Sequence, residues 1–173
     1  MTPSGHRRLI LTRHAKSAWD DPSLEDFDRP LNDRGRRSAR LLGDFMASRG
    51  YEPEEVICSP SKRTRETWEQ VAAAGLEVRP ELRLDDRLFH ATPATLLEVL
   101  QGATEPTVMM IGHNPGIADF ANRLVANAPL NPDFGRYPTG ATLVVDFAVE
   151  SWADVVFGSG VTVDFVIPRE MVG

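Results

Sequence analysis

The sequence predicts a three-layer α/β/α fold built around a mainly parallel central sheet. Three observations predict it. Short apolar runs alternate along the chain with longer stretches of helical hydrophobic periodicity. The runs are mostly continuous rather than alternating, as in strands covered on both faces. Several end abruptly in polar or charged clusters, at Arg13-His14, Ser59-Pro60 and Gly112-His113. Ligands in open α/β sheets bind beyond the carboxyl ends of the strands, so these clusters mark one shared edge.

Residues 1–6 read as a short loose tail, and 8–13 as the first strand. Residues 15–33 carry Trp19, several acids, Pro22 and Pro30, and read as a long loop. A structureless connection of that length implies function or local packing. Asn32 or Asp33 can cap a helix to about Arg49, with Ala39, Leu42, Phe45 and Met46 recurring at helical spacing and Gly50 ending it. Residues 55–58 form the second strand. Ser61 can cap a helix to about Ala74, stopped by Gly75.

Residues 76–78 read as a third, edge-like strand closed by Pro80. A polar turn, Asp85-Asp86-Arg87, follows. Thr92 caps and Pro93 opens a helix to about Gln101. Residues 107–111 are a further apolar strand, followed by a helix over about 115–126. Residues 127–140, rich in Asn, Pro and Gly, read as a loop that forms a lid or rim carrying Phe134 and Tyr137. Residues 141–148 and 161–167 are the last strands, the latter alternating as a half-exposed strand does.

The 173 residues suit one domain, with no repeat or interdomain linker. No apolar run approaches the ~20 residues that span a bilayer, and the N-terminus lacks the pattern of a signal peptide. Cys58 is the one cysteine, so no internal disulfide forms and the expected compartment is the cytoplasm. A net charge of −6 argues against nucleic-acid binding but leaves room for a locally basic pocket. The two lysines, Lys16 and Lys62, both lie near the strand-end clusters. Nothing in the sequence speaks to oligomeric state.

The clusters contain the groups that handle phosphate. Arginine grips phosphate as a rigid fork. Two arginines and two histidines around one phosphoryl group can neutralise the charge on its oxygens. An imidazole that is neutral and aimed in line can attack phosphorus, splitting one hard displacement into two easier ones. His14 is read as that nucleophile. Cys58 does not fit a cysteine phosphatase, because the residue six places on is Thr64 rather than arginine. No cluster has metal-ligand spacing and no Gly-rich nucleotide loop is present, so the expected chemistry needs no cofactor or metal.

Four segments in order carry a resemblance. Leu11-Thr12-Arg13-His14-Ala15, Arg29-Pro30-Leu31-Asn32-Asp33-Arg34-Gly35, Ser59-Pro60-Ser61-Lys62-Arg63-Thr64-Arg65-Glu66-Thr67 and Gly112-His113-Asn114-Pro115 resemble the motifs of the histidine phosphatase (phosphoglycerate mutase-like) superfamily. Within it the chain is similar to the short bacterial branch of phosphohistidine phosphatase-like proteins. Pro138-Thr139-Gly140 before a strand also looks familiar. The resemblance implies that His14 becomes phosphorylated, that Arg13 and Arg63 bind phosphate, and that His113 binds phosphate and stabilises the charge in flight. Asn114, Lys16 and Ser17 are secondary candidates.

Two departures bear on mechanism. Ala15 replaces the family's glycine. His90 stands where many members carry a glutamate proton donor, leaving His90 and Asp86, or its neighbour Asp85, as candidate donors. The alternative, that no dedicated donor exists, favours a phosphoramidate, whose nitrogen leaving group can be protonated before cleavage, or a phosphoester with an activated or acidic leaving group. The expected activity is therefore phosphohistidine phosphatase, acting on a phosphorylated protein or a small phosphorylated substrate. A broad small-molecule phosphomonoesterase, a phosphoglycerate mutase and an inactive phospho-binding module are the alternatives.

Overall fold

The computed structural model describes residues 5–171. Residues 1–4 of the expected tail lie outside the described residues. The chain runs β1 (Arg7–Arg13), α1 (Asp33–Arg49), β2 (Glu55–Cys58), α2 (Lys62–Ala72), β3 (Leu82–Leu84), α3 (Pro93–Gln101), β4 (Thr107–Gly112), α4 (Gly116–Leu124), β5 (Thr142–Phe147), β6 (Val161–Val166) and α5 (Pro168–Met171). Among the described residues the six strands form one sheet in the order β3-β2-β4-β1-β5-β6. The first four neighbours are parallel; β5 runs antiparallel to β1, and β6 antiparallel to β5. The sheet is thus mixed and mostly parallel, with helices on both faces.

The pleat explains the continuous apolar runs. Leu9 and Leu11 point into one core with Val108 and Met110, under α3 and α4. Ile10, Met109 and Ile111 point into the other, under α1 and α2. Both faces of β1 and β4 are therefore dry, and every residue of β4 is buried. The caps lie where side-chain chemistry places them. Asn32 accepts from the Gly35 N–H, Ser61 from Thr64 and Thr92 from Thr95. Gly50, at φ 73°, closes α1.

The third strand is a correction. It lies at Leu82–Leu84, after Pro80, not at 76–78. The backbone N–H groups of Glu77 and Val78 are taken by the Glu52 carboxylate, so that segment has no ladder to join. Leu76 is a buried anchor of the second core instead. The loop over 15–33 is also more ordered than its composition suggests. Ser17 bridges Leu31, Ala18 donates to Pro30 and Asn32 donates to Lys16, so its two ends are pinned together. Its tip carries a short 3₁₀ turn, Asp26–Asp28.

The 127–140 segment is anchored through its aromatic residues. Phe134 and Tyr137 are both buried in the first core. Tyr137 adopts φ 50°, a left-handed conformation that a bulky residue holds only when its surroundings impose it. Its hydroxyl donates to the Leu11 carbonyl and accepts from the Leu143 N–H. One phenol thereby ties β1 to β5 just below the strand ends. Replacing Tyr137 with Phe strands both backbone groups in a dry core. Urea denaturation of that variant is expected to show a loss of about 1–3 kcal/mol.

Candidate active site

β1, β2 and β4 end side by side, which brings the three polar clusters to one edge. A cavity of about 380 Å³ opens there, lined among others by Arg13, His14, Arg63 and His113. The backbone at His14 is held from both flanks. His14 donates to the Gly112 carbonyl, Arg13 donates to Ala141, and Gly140 donates to the carbonyls of Arg13 and His14. Gly140 sits at φ 77°, which a residue with a side chain adopts only under strain, and a Cβ would meet Pro168 at 2.9 Å. Thr67 accepts from the Ala15 N–H, and the Ala15 methyl is buried in the second core. The alanine that replaces the family's glycine is thus accommodated by packing.

The His14 ring is 6% exposed, and its Nδ1 lies 2.7 Å from the Ala15 carbonyl oxygen. A carbonyl only accepts, so Nδ1 carries the proton and Nε2 keeps a free lone pair. Burial lowers the pKa of His14 to about 3; the bond to Ala15 opposes this, and the charges of Arg13 and Arg63 add to it. The ring is neutral at physiological pH.

His113 faces His14 with 5.4 Å between ring centroids. Its Nδ1 is 3.3 Å from a nitrogen of the Arg63 guanidinium, which can only donate. The proton therefore sits on Nε2 and is given to the Ser59 hydroxyl at 2.7 Å. Burial, then the charges of His14 and Arg63, also lower the His113 pKa to about 3. Burial lowers the Arg13 pKa as well, with repulsion from Arg63 adding to it. Arg13 Nε is buried without a hydrogen-bond partner. The pocket interior thus disfavours the positive forms of the Arg13 guanidinium and of both imidazoles, a field that an entering anion would relieve.

The sequence missed a carboxylate. Asp26, on the tip of the 15–33 loop, lines the cavity and rests on Arg63. Its Oδ2 accepts from Arg63 at 3.0 Å, its backbone carbonyl accepts from the same guanidinium at 2.6 Å, and Oδ1 accepts from Arg29 at 3.0 Å. Burial favours the neutral acid, but the bond from Arg63 and the charges of Arg63 and Arg29 hold the carboxyl below its usual range. Asp26 thus occupies both terminal nitrogens of the Arg63 guanidinium. Its three-residue spacing before Arg29-Pro30 was the available signal. Composition marked the segment only as loop.

The remaining candidates divide. Lys16, Ser17, Trp19, His90, Asn114 and Thr139 line the cavity, as do Arg29 and Phe89, which the sequence did not single out. His90 is exposed at the rim beside Phe89, with ring centroids 4.2 Å apart. Asp86 is exposed and does not line the cavity, and Asp85 is paired with Arg87. Asn114 donates to the carbonyls of Arg136 and Tyr137 and so ties the second-histidine motif to the 127–140 segment. Arg65 turns away to the Pro60 carbonyl. Cys58 is buried in the second core, and burial pushes its thiol up to about 12. It is no nucleophile.

Residues 9–114 match the histidine phosphatase superfamily, branch 1. The chain belongs to that superfamily. A histidine phosphatase-superfamily chain of this size has relatives without an assigned activity. An uncharacterized Mycobacterium tuberculosis protein is 32% identical, across 91% of this chain and 99% of its own length. An uncharacterized chloroplastic protein of Arabidopsis thaliana is 34% identical, across 75% of this chain and 68% of its own. Among solved structures, a Nakamurella multipartitia protein provisionally named phosphohistidine phosphatase SixA superposes with a TM-score of 0.79 at 26% identity, covering 96% of this chain and 98% of that one. A protein of Agrobacterium tumefaciens with the same provisional name gives 0.75 at 28% identity, covering 94% and 98%. Among the described residues of this superfamily member, no helix is long and apolar enough to cross a membrane.

Two outcomes are expected. In heteronuclear NMR, His14 and His113 stay neutral from pH 8 down to about 4.5, while an unperturbed imidazole protonates near 6.5. Because the shift is downward, protonation enters only as pH falls towards about 3. Asp26→Asn removes the carboxylate that competes for Arg63. Its side chain is half exposed, so the expected gain is modest, a roughly three- to tenfold lower Kd for orthovanadate by isothermal titration.

Proposed function

We propose that the chain is a phosphatase that works through a covalent phosphohistidine at His14, and that its preferred substrate is phosphohistidine on a protein. The observation that carries this reading is the unprotonated Nε2 of His14, placed in a cavity walled by two guanidiniums and a second imidazole. A substrate phosphoryl group displaces Asp26 from Arg63 and docks against Arg13, Arg63 and His113. Charge spread over its oxygens in flight meets donors already in place.

The lone pair of Nε2 forms the N–P bond as the bond from phosphorus to the leaving group breaks, its electron pair departing with the leaving group. A phosphohistidine leaves as neutral imidazole, already protonated on its other nitrogen, and needs no strong acid. This suits a pocket whose carboxylate, Asp26, is held ionised. For an oxygen leaving group, His90 at the rim is the available donor. Water then attacks phosphorus, the N–P bond breaks back onto Nε2, and Asp26 accepts the water proton. The likeness to structures named SixA supports the substrate class, and the exposed rim at Trp19 and His90 suits a phosphate carried on a protein. The buried, reduced Cys58 fits a cytoplasmic setting.

His14→Ala is expected to lower turnover of an aryl phosphate by roughly 10³-fold or more, with the fold intact by circular dichroism. Rapid quench with radiolabelled substrate is expected to trap label on His14, and turnover retained by the variant would defeat the assignment. Comparing a phosphohistidine protein, a sugar phosphate and an aryl phosphate decides the substrate class. The phosphohistidine protein is expected to have the highest kcat/KM.

A further inference from the structure

Helix α1 presents Arg34, Arg36, Arg37 and Arg40 to solvent. With Arg169 of α5 they line a groove of about 1010 Å³ in which Asp44 is the acidic residue. Arg36 is engaged by Asp33 and the Leu31 carbonyl, and Arg169 by Asp133. The side chains of Arg34, Arg37 and Arg40 make no ion pair or hydrogen bond among the described residues. They stand three residues apart, and Arg36 stands four before Arg40, spacings at which like charges destabilise a helix. A chain of net charge −6 has thus gathered unpaired cations in one place.

One hollow lies between the groove and the active site. The catalytic cavity shares Trp19 with a neighbouring hollow of about 470 Å³, and that hollow shares Arg36 with the arginine groove. The start of α1 is bolted to the cavity wall. Asn32 donates to the Lys16 carbonyl, and a Cβ on Gly35 would stand 2.1 Å from that same oxygen. Midway along the track Trp19 is 74% exposed, its ring held from one side by the Arg29 guanidinium at 3.3 Å. An exposed, preoriented tryptophan has the composition of an interface anchor, and the hollow between it and Arg36 is lined as well by Asp20 and Asp33.

We propose that this track docks an acidic stretch of the protein that carries the phosphoryl group. The phosphoryl enters the cavity, the flanking polypeptide crosses Trp19, and its Asp and Glu side chains pair with Arg34, Arg37 and Arg40. The inference rests on the reading that the substrate phosphate is protein-borne. Exposed charges of this kind act on encounter rate and partner choice rather than on the chemical step. The chain's net charge repels an acidic peptide elsewhere, so the local field of this patch is what would attract one.

The test uses two phosphohistidine peptides of equal length, one flanked by Asp and Glu and one by Ser and Asn, with an aryl phosphate as the small-substrate control. The wild type is expected to favour the acidic peptide by about tenfold in kcat/KM at low salt, and to lose that preference towards ~0.5 M NaCl. The double variant Arg37→Glu, Arg40→Glu, both exposed, is expected to abolish the preference and leave aryl phosphate turnover within about twofold. Binding of the unphosphorylated acidic peptide, followed by Trp19 fluorescence, is expected to weaken by a similar factor. Equal kcat/KM for both peptides in the wild type, or a preference surviving the double variant, overturns the docking site. Single-stranded RNA binding more tightly than the acidic peptide also overturns it, and assigns the groove to nucleic acid. Hydrolysis of the aryl phosphate with neither peptide cleaved overturns the phosphohistidine reading alone, and the fluorescence titration still decides the groove.

Discussion

The hydrogen bond between His14 Nδ1 and the Ala15 carbonyl is the contact on which the site depends. A carbonyl has no proton to give, so this one bond sets the tautomer and leaves Nε2 of a cavity-lining ring unprotonated. The rest of the strand-end architecture serves to hold it. Gly140 grips the carbonyls of Arg13 and His14, Gly112 receives the His14 N–H, and Thr67 receives that of Ala15. Tyr137 locks β1 to β5 directly beneath. A ring so fixed is preorganised for the attack proposed for it.

Burial and charge act together on this ring. Desolvation keeps both imidazoles neutral; Arg13 and Arg63 reinforce it at His14, and Arg63 at His113. For His14 this is the form that the proposed attack requires. For the arginines it means a pocket with excess positive field that Asp26 only partly satisfies from its edge. The protein as a whole is acidic, so this field and that of the α1 groove are local features. A small anion or an acidic peptide segment responds to the field where it lands rather than to the net charge.

The sequence and the structure agree most closely where side-chain chemistry acts locally. Asn32, Ser61 and Thr92 cap the helices they precede because a side-chain oxygen reaches an N–H three residues on in any context. They part where a backbone group finds a distant partner. Residues 76–78 have strand composition, yet Glu52 takes two of their N–H groups and the ladder forms beyond Pro80. Phe134 and Tyr137 looked like rim residues in a polar segment. Packing against Phe165 and the sheet draws them into the core. Asp26 looked like one acid among several, and only the folding-back of its loop sets it on Arg63.

The sequence alone determined the layered α/β fold, the helix starts, and the motifs that carry Arg13, His14, Arg63 and His113. Each of these follows from periodicity, capping or a contiguous pattern of residues, which the linear chain contains in full. Only the tertiary structure decided which imidazole nitrogen is free, that a carboxylate occupies the arginine fork, and that a hollow bordered by Trp19 and Arg36 lies between the cavity and an arginine groove. Those are properties of angle, burial and adjacency between segments tens of residues apart, and they come into being when the sheet brings its strand ends together.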